Sequence, residues 1–432
     1  MPHAGRSFLT ASFVFGLLFA ANTELFSQTA PGGKVDDKLT VAATDWPWWR
    51  GPARTGEASP EQNPPTSWSD TENVVWQANI PGRGHGSPTL VGNRIFLATS
   101  DEKQESQSVV CFDRTSGKHL WTTEVHAKGA MRKNEKSTAA SCTPACDGER
   151  VYVTFPNSDA VVTTALSLDG KIEWQTKVSD YVIHQGYGAS PALYQSLVLV
   201  SADSKGGGAI AGVDRKSGKI VWTHPRPKLP NYTSPVVLHL EGKDQLILTG
   251  CSLVTSLDPL TGKVNWETEG ATEECVTSTV TDGKRVYSSG GYPKNHISAI
   301  LTDGTAKLSW ETKDRVYVPS LLYRDGHLFG VMDAGVAACW KSDTGEDTWK
   351  NRLGGTFSAS PVLVGNKIYA TNEAGQTFVF QADSQKFTQI ASNKLGDEAF
   401  ATQVICGGRI YARVAKQVDG KRQEVLFCLG NK

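Results

Sequence analysis

Apolar positions in this chain fall into short β-branched or aromatic runs, most of them entered through a turn. Gly92-Asn93-Arg94-Ile95-Phe96, Gly148-Glu149-Arg150-Val151-Tyr152, Gly365-Asn366-Lys367-Ile368-Tyr369 and Gly408-Arg409-Ile410-Tyr411 are of one kind. Val109-Val110-Cys111-Phe112-Asp113 is of a second kind and runs into a Thr-Ser-Gly-Lys turn. Short runs of this composition between turn residues predict strands, and the tight Gly turns predict hairpins. One apolar stretch breaks the pattern. Phe8 to Ala21 is apolar or small throughout and follows Arg6. It is too short for a comfortable bilayer span and predicts an export signal over residues 1–27. Residues 28–44, with Pro31-Gly32-Gly33, read as a flexible linker. Nothing later approaches the roughly 18 apolar residues of a membrane helix.

The strand runs belong to a repeat. A Gly stands four residues before a Trp at Gly117/Trp121, Gly170/Trp174, Gly218/Trp222, Gly262/Trp266 and Gly345/Trp349. Gly304 and Trp310 repeat the motif with two extra residues. A second landmark, Ser-Pro or a relic of it, precedes each copy. It occurs at Ser87, Thr143, Ser190, Ser234, Ser278, Ser320, Ser360 and Thr402. Each unit holds four short strands, the size of one propeller blade. The Gly permits a positive φ in the turn, and the Trp ring can wedge between twisted blades. The last unit supplies three strands, while Val74-Val75-Trp76 stands alone at the front. Pairing the two would close the ring and remove its open edge. The expectation is an all-β, eight-bladed propeller of four-stranded antiparallel blades over residues 45–432. A seven-bladed ring is the alternative, because the 383–390 hairpin lacks both Gly and Trp.

Composition narrows the function. Among 432 residues, 44 basic and 44 acidic side chains cancel, so no basic field supports general nucleic-acid binding. An apolar fraction of 39% with 20% charged residues is that of a globular chain. Eight cysteines in an exported chain permit disulfides, but a core of this size does not need them. Cys142 and Cys146 match neither a zinc knuckle nor a haem motif, and small buried thiols are the expectation.

The Gly-Lys-x-x-Trp units resemble the pyrroloquinoline quinone (PQQ) repeat of quinoprotein dehydrogenases, which also builds BamB-like non-enzymatic envelope propellers. The opening Trp46-Pro47-Trp48-Trp49-Arg50-Gly51-Pro52 is similar to the entry segment of exported PQQ-like propellers. For an enzyme the resemblance implies PQQ, a Ca²⁺ held by carboxylate and amide oxygens, an Asp base, and Arg or Lys beside the quinone. This sequence has no vicinal cysteines and no haem motif, and the calcium ligands match no motif. The resemblance therefore implies first a periplasmic or secreted, monomeric, non-catalytic module that binds a protein or an extracellular polymer. A PQQ-dependent oxidoreductase acting on alcohols or sugars is the alternative, and a carbohydrate-binding module the second alternative.

A site is expected where the connections between blades reach the channel. Those loops bring Arg83, His85, His184, Gln185, Tyr187, Asn231, Tyr232, Glu273, Glu274, Arg315 and Tyr317 to one mouth. Glu273, Glu274 and Asn231 are the weak candidates for a divalent ion. A solvated rim with satisfied polar groups is the plainer reading. No residue is assigned a catalytic role.

Overall fold

The computed structural model describes Met1, Leu39 and residues 41–131 and 134–431. The export signal and the linker up to residue 38 lie outside the described residues. Leu39 and Val41, at the linker's end, pack against the core of the first blades.

Eight sheets form, one for each Ser-Pro landmark, and they make an eight-bladed propeller. The first blade runs Thr89–Val91, Arg94–Asp101, Ser106–Asp113 and His119–His126 in antiparallel order. The middle strands of this blade are buried along nearly their whole length, which is why they read as apolar runs. Its outer strand alternates between exposed and half-buried positions, as a strand packed on one face must. The seventh blade forms without its Gly-Trp turn. Its outer strand, Gln389–Lys394, pairs with Gln376–Gln381, and this rules out seven blades.

The ring closes as expected. Val74–Ile80 becomes the outer strand of the eighth blade, with Gln77 opposite Phe427. All eight cysteines are buried free thiols. Burial pushes Cys111, Cys142 and Cys406 up to about 12.

Three devices join neighbouring blades. The first is the tryptophan carried by most of the outer strands. Trp121, Trp174 and Trp310 donate their indole N–H to a carbonyl of the next blade, at Leu168, Arg215 and Ser342, each over 3.0 Å. Trp222 is 8% exposed and the other repeat tryptophans are half-buried, so they dock at the rim rather than in the deep core. Trp266 is the exception. The two extra residues of the next turn leave Gly304 with nothing near it, and Trp266 bonds Gln245 of its own blade instead. Trp349 meets the Gly-free 383–390 hairpin of the seventh blade through the Asp383 carbonyl and the Phe387 ring.

The second device is the Ser-Pro landmark itself. The Ser87 amide donates to the Thr143 hydroxyl, Thr143 to Ser190, and Ser190 to Ser234, each over 2.9 Å. The series resumes with Ser278 to Ser320 at 3.0 Å, then Ser320 to Ser360 and Ser360 to Thr402 at 2.9 Å. Each hydroxyl thus satisfies a buried amide of the preceding blade, which would otherwise be costly. At the seam the Ser87 hydroxyl is buried without a partner. An ion pair replaces it there. Arg413 and Glu424, 2.6 Å apart and each 2% exposed by side chain, reach across to the first blade. Arg413 donates to the Ala98 and Gly86 carbonyls, and Glu424 accepts the Gly84 amide.

The third device is the segment 45–63. Trp46 bridges Leu90 in the first blade, and the Pro47 carbonyl accepts the Cys146 amide of the second. Arg54 donates to the Leu193 carbonyl in the third, and Trp49 to the Ser278 hydroxyl at 2.7 Å in the fifth. Arg50, 2% exposed, donates to the Leu321 carbonyl beside the sixth. Glu57–Ala58 lies parallel to Val362–Val364 in the seventh, and Gln62 accepts the Gly408 amide of the eighth. The segment therefore runs along the inner strands and fills that end of the channel.

Candidate functional site

The blade-to-blade connections converge on a cavity of about 630 Å³. That lies within the roughly 300–1,000 Å³ range of small-molecule pockets. Trp49 lines it, and the indole is fixed by its bond to Ser278. The landmark residues Thr143, Ser190, Ser234, Ser360 and Thr402 also border it, so the blade-joining hydroxyls ring its wall.

Of the residues expected at the mouth, His85, His184, Gln185, Tyr187, Tyr232, Glu274, Arg315 and Tyr317 line this cavity. His85 stacks on Phe400 with centroids 4.4 Å apart and planes at 17°. The Arg315 guanidinium lies 5.0 Å over the Tyr317 ring and donates to the Gly291 carbonyl at 2.9 Å. Glu274 is 5% exposed. It holds His184 Nε2 at 3.1 Å and accepts the Tyr317 hydroxyl at 3.4 Å. Burial, with the Glu274 charge beside them, pushes the Tyr232 and Tyr317 hydroxyls well above the usual phenol range. Tyr187 serves the frame, donating to the Ser201 carbonyl at 2.8 Å.

Three expectations are corrected. Asn231 is buried and does not line the cavity. Its amide donates to Asp203 and to the Thr249 carbonyl, and its oxygen accepts the Cys275 amide. Glu273 does not line it either. Of the two neighbours, Glu274 borders the cavity on a bridge to Tyr292, while Glu273 sits in the bend before it. Arg83 sits outside it, paired with Glu102 at 3.5 Å. The suggested Glu273–Glu274–Asn231 oxygen cluster therefore does not assemble.

The sequence reading missed Trp49, Asn134, Lys136, Tyr292 and Phe400 as cavity residues. Lys136 lies in a basic stretch that reads as a solvated loop. Tyr292 lies on a hairpin within the fifth blade, so a survey of blade-to-blade connections cannot find it.

The residues present fit a calcium-held quinone poorly. Among the described residues, Glu274 is the one carboxylate lining the cavity, and both its oxygens are engaged. No group of three or more His, Cys, Asp or Glu among the described residues is arranged to hold a metal ion. A calcium site with a separate Asp base needs more acidic oxygens than this.

This fold, a Trp-docked ring of eight repeats around a cavity walled by rings and hydroxyls, defines a PQQ-repeat propeller. The chain belongs to the PQQ-repeat family described as outer membrane protein assembly factor BamB, whose signature matches residues 105–351 and 312–386. Outer membrane protein assembly factor BamB of Yersinia pestis is 24% identical over 363 residues, covering 71% of this chain and 88% of that protein. The crystal structure of BamB from Moraxella catarrhalis superposes with a TM-score of 0.59 at 16% identity, covering 83% of this chain and 97% of that one. Quinohemoprotein alcohol dehydrogenase from Comamonas testosteroni gives a TM-score of 0.67 at 12% identity, covering 90% of this chain and 81% of that one. At such identities the two structures share the fold. No helix among the described residues is long and apolar enough to cross a membrane.

Proposed function

We propose that this chain is an exported, non-catalytic propeller that works as a monomeric binding scaffold for a protein partner in the cell envelope. Two findings support the reading. The family is described by an outer-membrane assembly factor, and the curated relative carries the same description. The observation that carries it is Glu274. The one acidic side chain among the described cavity residues is locked between His184 and Tyr317, so no free carboxylate is left as a base or calcium ligand. The frame around it is rigid. Blades joined by Trp, hydroxyl and plug contacts present loops in fixed positions, and this lowers the ordering cost of docking a partner.

The test has two arms. Purified protein is titrated with PQQ and Ca²⁺, followed by quinone absorbance and dye-linked oxidation of alcohols and sugars. In parallel, photocrosslinking residues placed on the connecting loops are used in envelope preparations of the source cells. No turnover, with a discrete crosslinked protein, is the expected outcome. Stoichiometric PQQ binding with turnover overturns the scaffold reading.

A further inference from the structure

We infer that the cavity floored by Trp49 is a blind binding pocket for a neutral mono- or disaccharide. This goes beyond the scaffold reading and does not depend on it.

The charges in the wall are already matched. Lys136 pairs with Glu373 at 3.1 Å, and the Glu274 carboxylate and Arg315 guanidinium, of opposite charge, both contact Tyr317, one at its hydroxyl and one over its ring. A polyanionic or strongly cationic ligand would meet no unbalanced field to offset its desolvation. A purely apolar ligand would bury the hydroxyls of the wall without partners.

A sugar meets both kinds of surface. Its C–H faces lie flat on aromatic rings, and its hydroxyls both donate and accept. The cavity offers rings at separate places. They are the Phe400–His85 stack, Tyr317 held under Arg315, and Tyr292, which is 51% exposed. Between them stands the Gln185 side chain. It is exposed, and its amide oxygen accepts from Asn134 at 2.8 Å, so its amide is held in place and keeps N–H groups for a ligand. Rings already packed on a neighbour lose little freedom on binding.

The closed floor limits ligand length. Trp49 is bonded to the fifth blade, and residues 45–63 run along the inner strands behind it. A polysaccharide cannot thread through, so the pocket takes a free sugar or the end of a chain.

The experiment is saturation-transfer NMR of the purified protein with cellobiose, maltose, lactose and chitobiose, and with the neutral blocked dipeptide N-acetyl-Ala-Ala-NH₂ as comparator. Ring C–H protons of at least one disaccharide should receive saturation. Removal of the amide in Gln185→Ala, or of the ring in Phe400→Ala, should weaken that ligand about tenfold, the loss of one good contact. Circular dichroism and the urea midpoint check that both variants fold; Gln185→Ala, at an exposed position, serves alone if Phe400→Ala does not. No saturation of any disaccharide overturns the inference, as does equal saturation of the dipeptide. Unchanged affinity in the folded variants also overturns it, because the sugar would then bind elsewhere.

Discussion

The Trp76 ring occupies the space that any side chain on Gly117 would need. A Cβ there would stand 2.5 Å from Trp76 Cε3, and Gly117 holds φ at 71°. Trp76 also donates to the Arg114 carbonyl at 3.1 Å. The contact joins the outer strand of the closing blade to the first blade, so it acts only once the ring is shut.

Trp76→Ala should therefore destabilise the protein by about 3–5 kcal/mol, the range for losing a large buried aromatic. Gly117→Ala should also destabilise, through both the positive φ and the clash. The double variant should lose less than the sum of the singles, because both act on one contact. Urea denaturation of the four proteins measures this. Additive losses would mean the two residues are independent.

The seam ion pair gives a second expectation. Glu424→Leu alone leaves Arg413 buried and unpaired and should cost about 3–5 kcal/mol. Arg413→Met combined with Glu424→Leu should recover part of that loss. A double variant at least as unstable as Glu424→Leu in chemical denaturation would contradict the pairing. Truncation after Arg413 removes Lys421–Leu429, which pairs with strands on both sides, and should abolish soluble expression.

Ser320 tests the hydroxyl series. Ser320→Ala leaves the buried Ser278 amide without its acceptor and should cost about 1–3 kcal/mol. Ser320→Thr keeps the hydroxyl and should cost less. Hydrogen exchange at the Ser278 amide should quicken in the Ala variant, and an unchanged rate would show that the bond carries no load.

Acid sensitivity should trace to His296, which is fully buried with Nε2 3.2 Å from the Ser288 hydroxyl. Burial, aided by Lys294, lowers it from 6.5 to about 4. The unfolded chain therefore binds the proton first as pH falls. The contribution of neutral His296 is complete above pH 6.5 and is lost between 6.5 and 4, by about 3 kcal/mol in all. His126 and His224 are lowered in the same sense, so the comparison must be with a variant. Between pH 7 and 4.5, His296→Gln should lose less stability in urea than the parent. Equal losses would clear His296.

Residue periodicity carried most of the architecture. The Gly-Trp turns and Ser-Pro landmarks marked every blade, and the orphan strand at Trp76 pointed to its partner near Phe427. The role of the landmark hydroxyls was not legible, because Thr143 and Ser190 are bonded across 47 positions of chain. The site was legible only by loop. Sequence placed Glu273 and Glu274 together, but the bend at Glu273 puts Glu274 alone of the two on the cavity wall. Asn231 looked like a ligand, and burial made it a brace between loops. Trp49 stood out only as part of the entry segment, yet its bond to Ser278 fixes it against the cavity.

The segment 45–63 has a consequence for the order of assembly. It precedes every blade in the chain, yet it touches inner strands from the first to the eighth. Domains generally fold from the N-terminus as they are made. Here the earliest residues have no complete seat until the latest strands exist. Residues 45–63 are thus made before every blade and settle last, and a chain stalled before its final blade would keep Trp46 without the eighth-blade side of its core and Gln62 without Gly408, as a flag for chaperones or proteases.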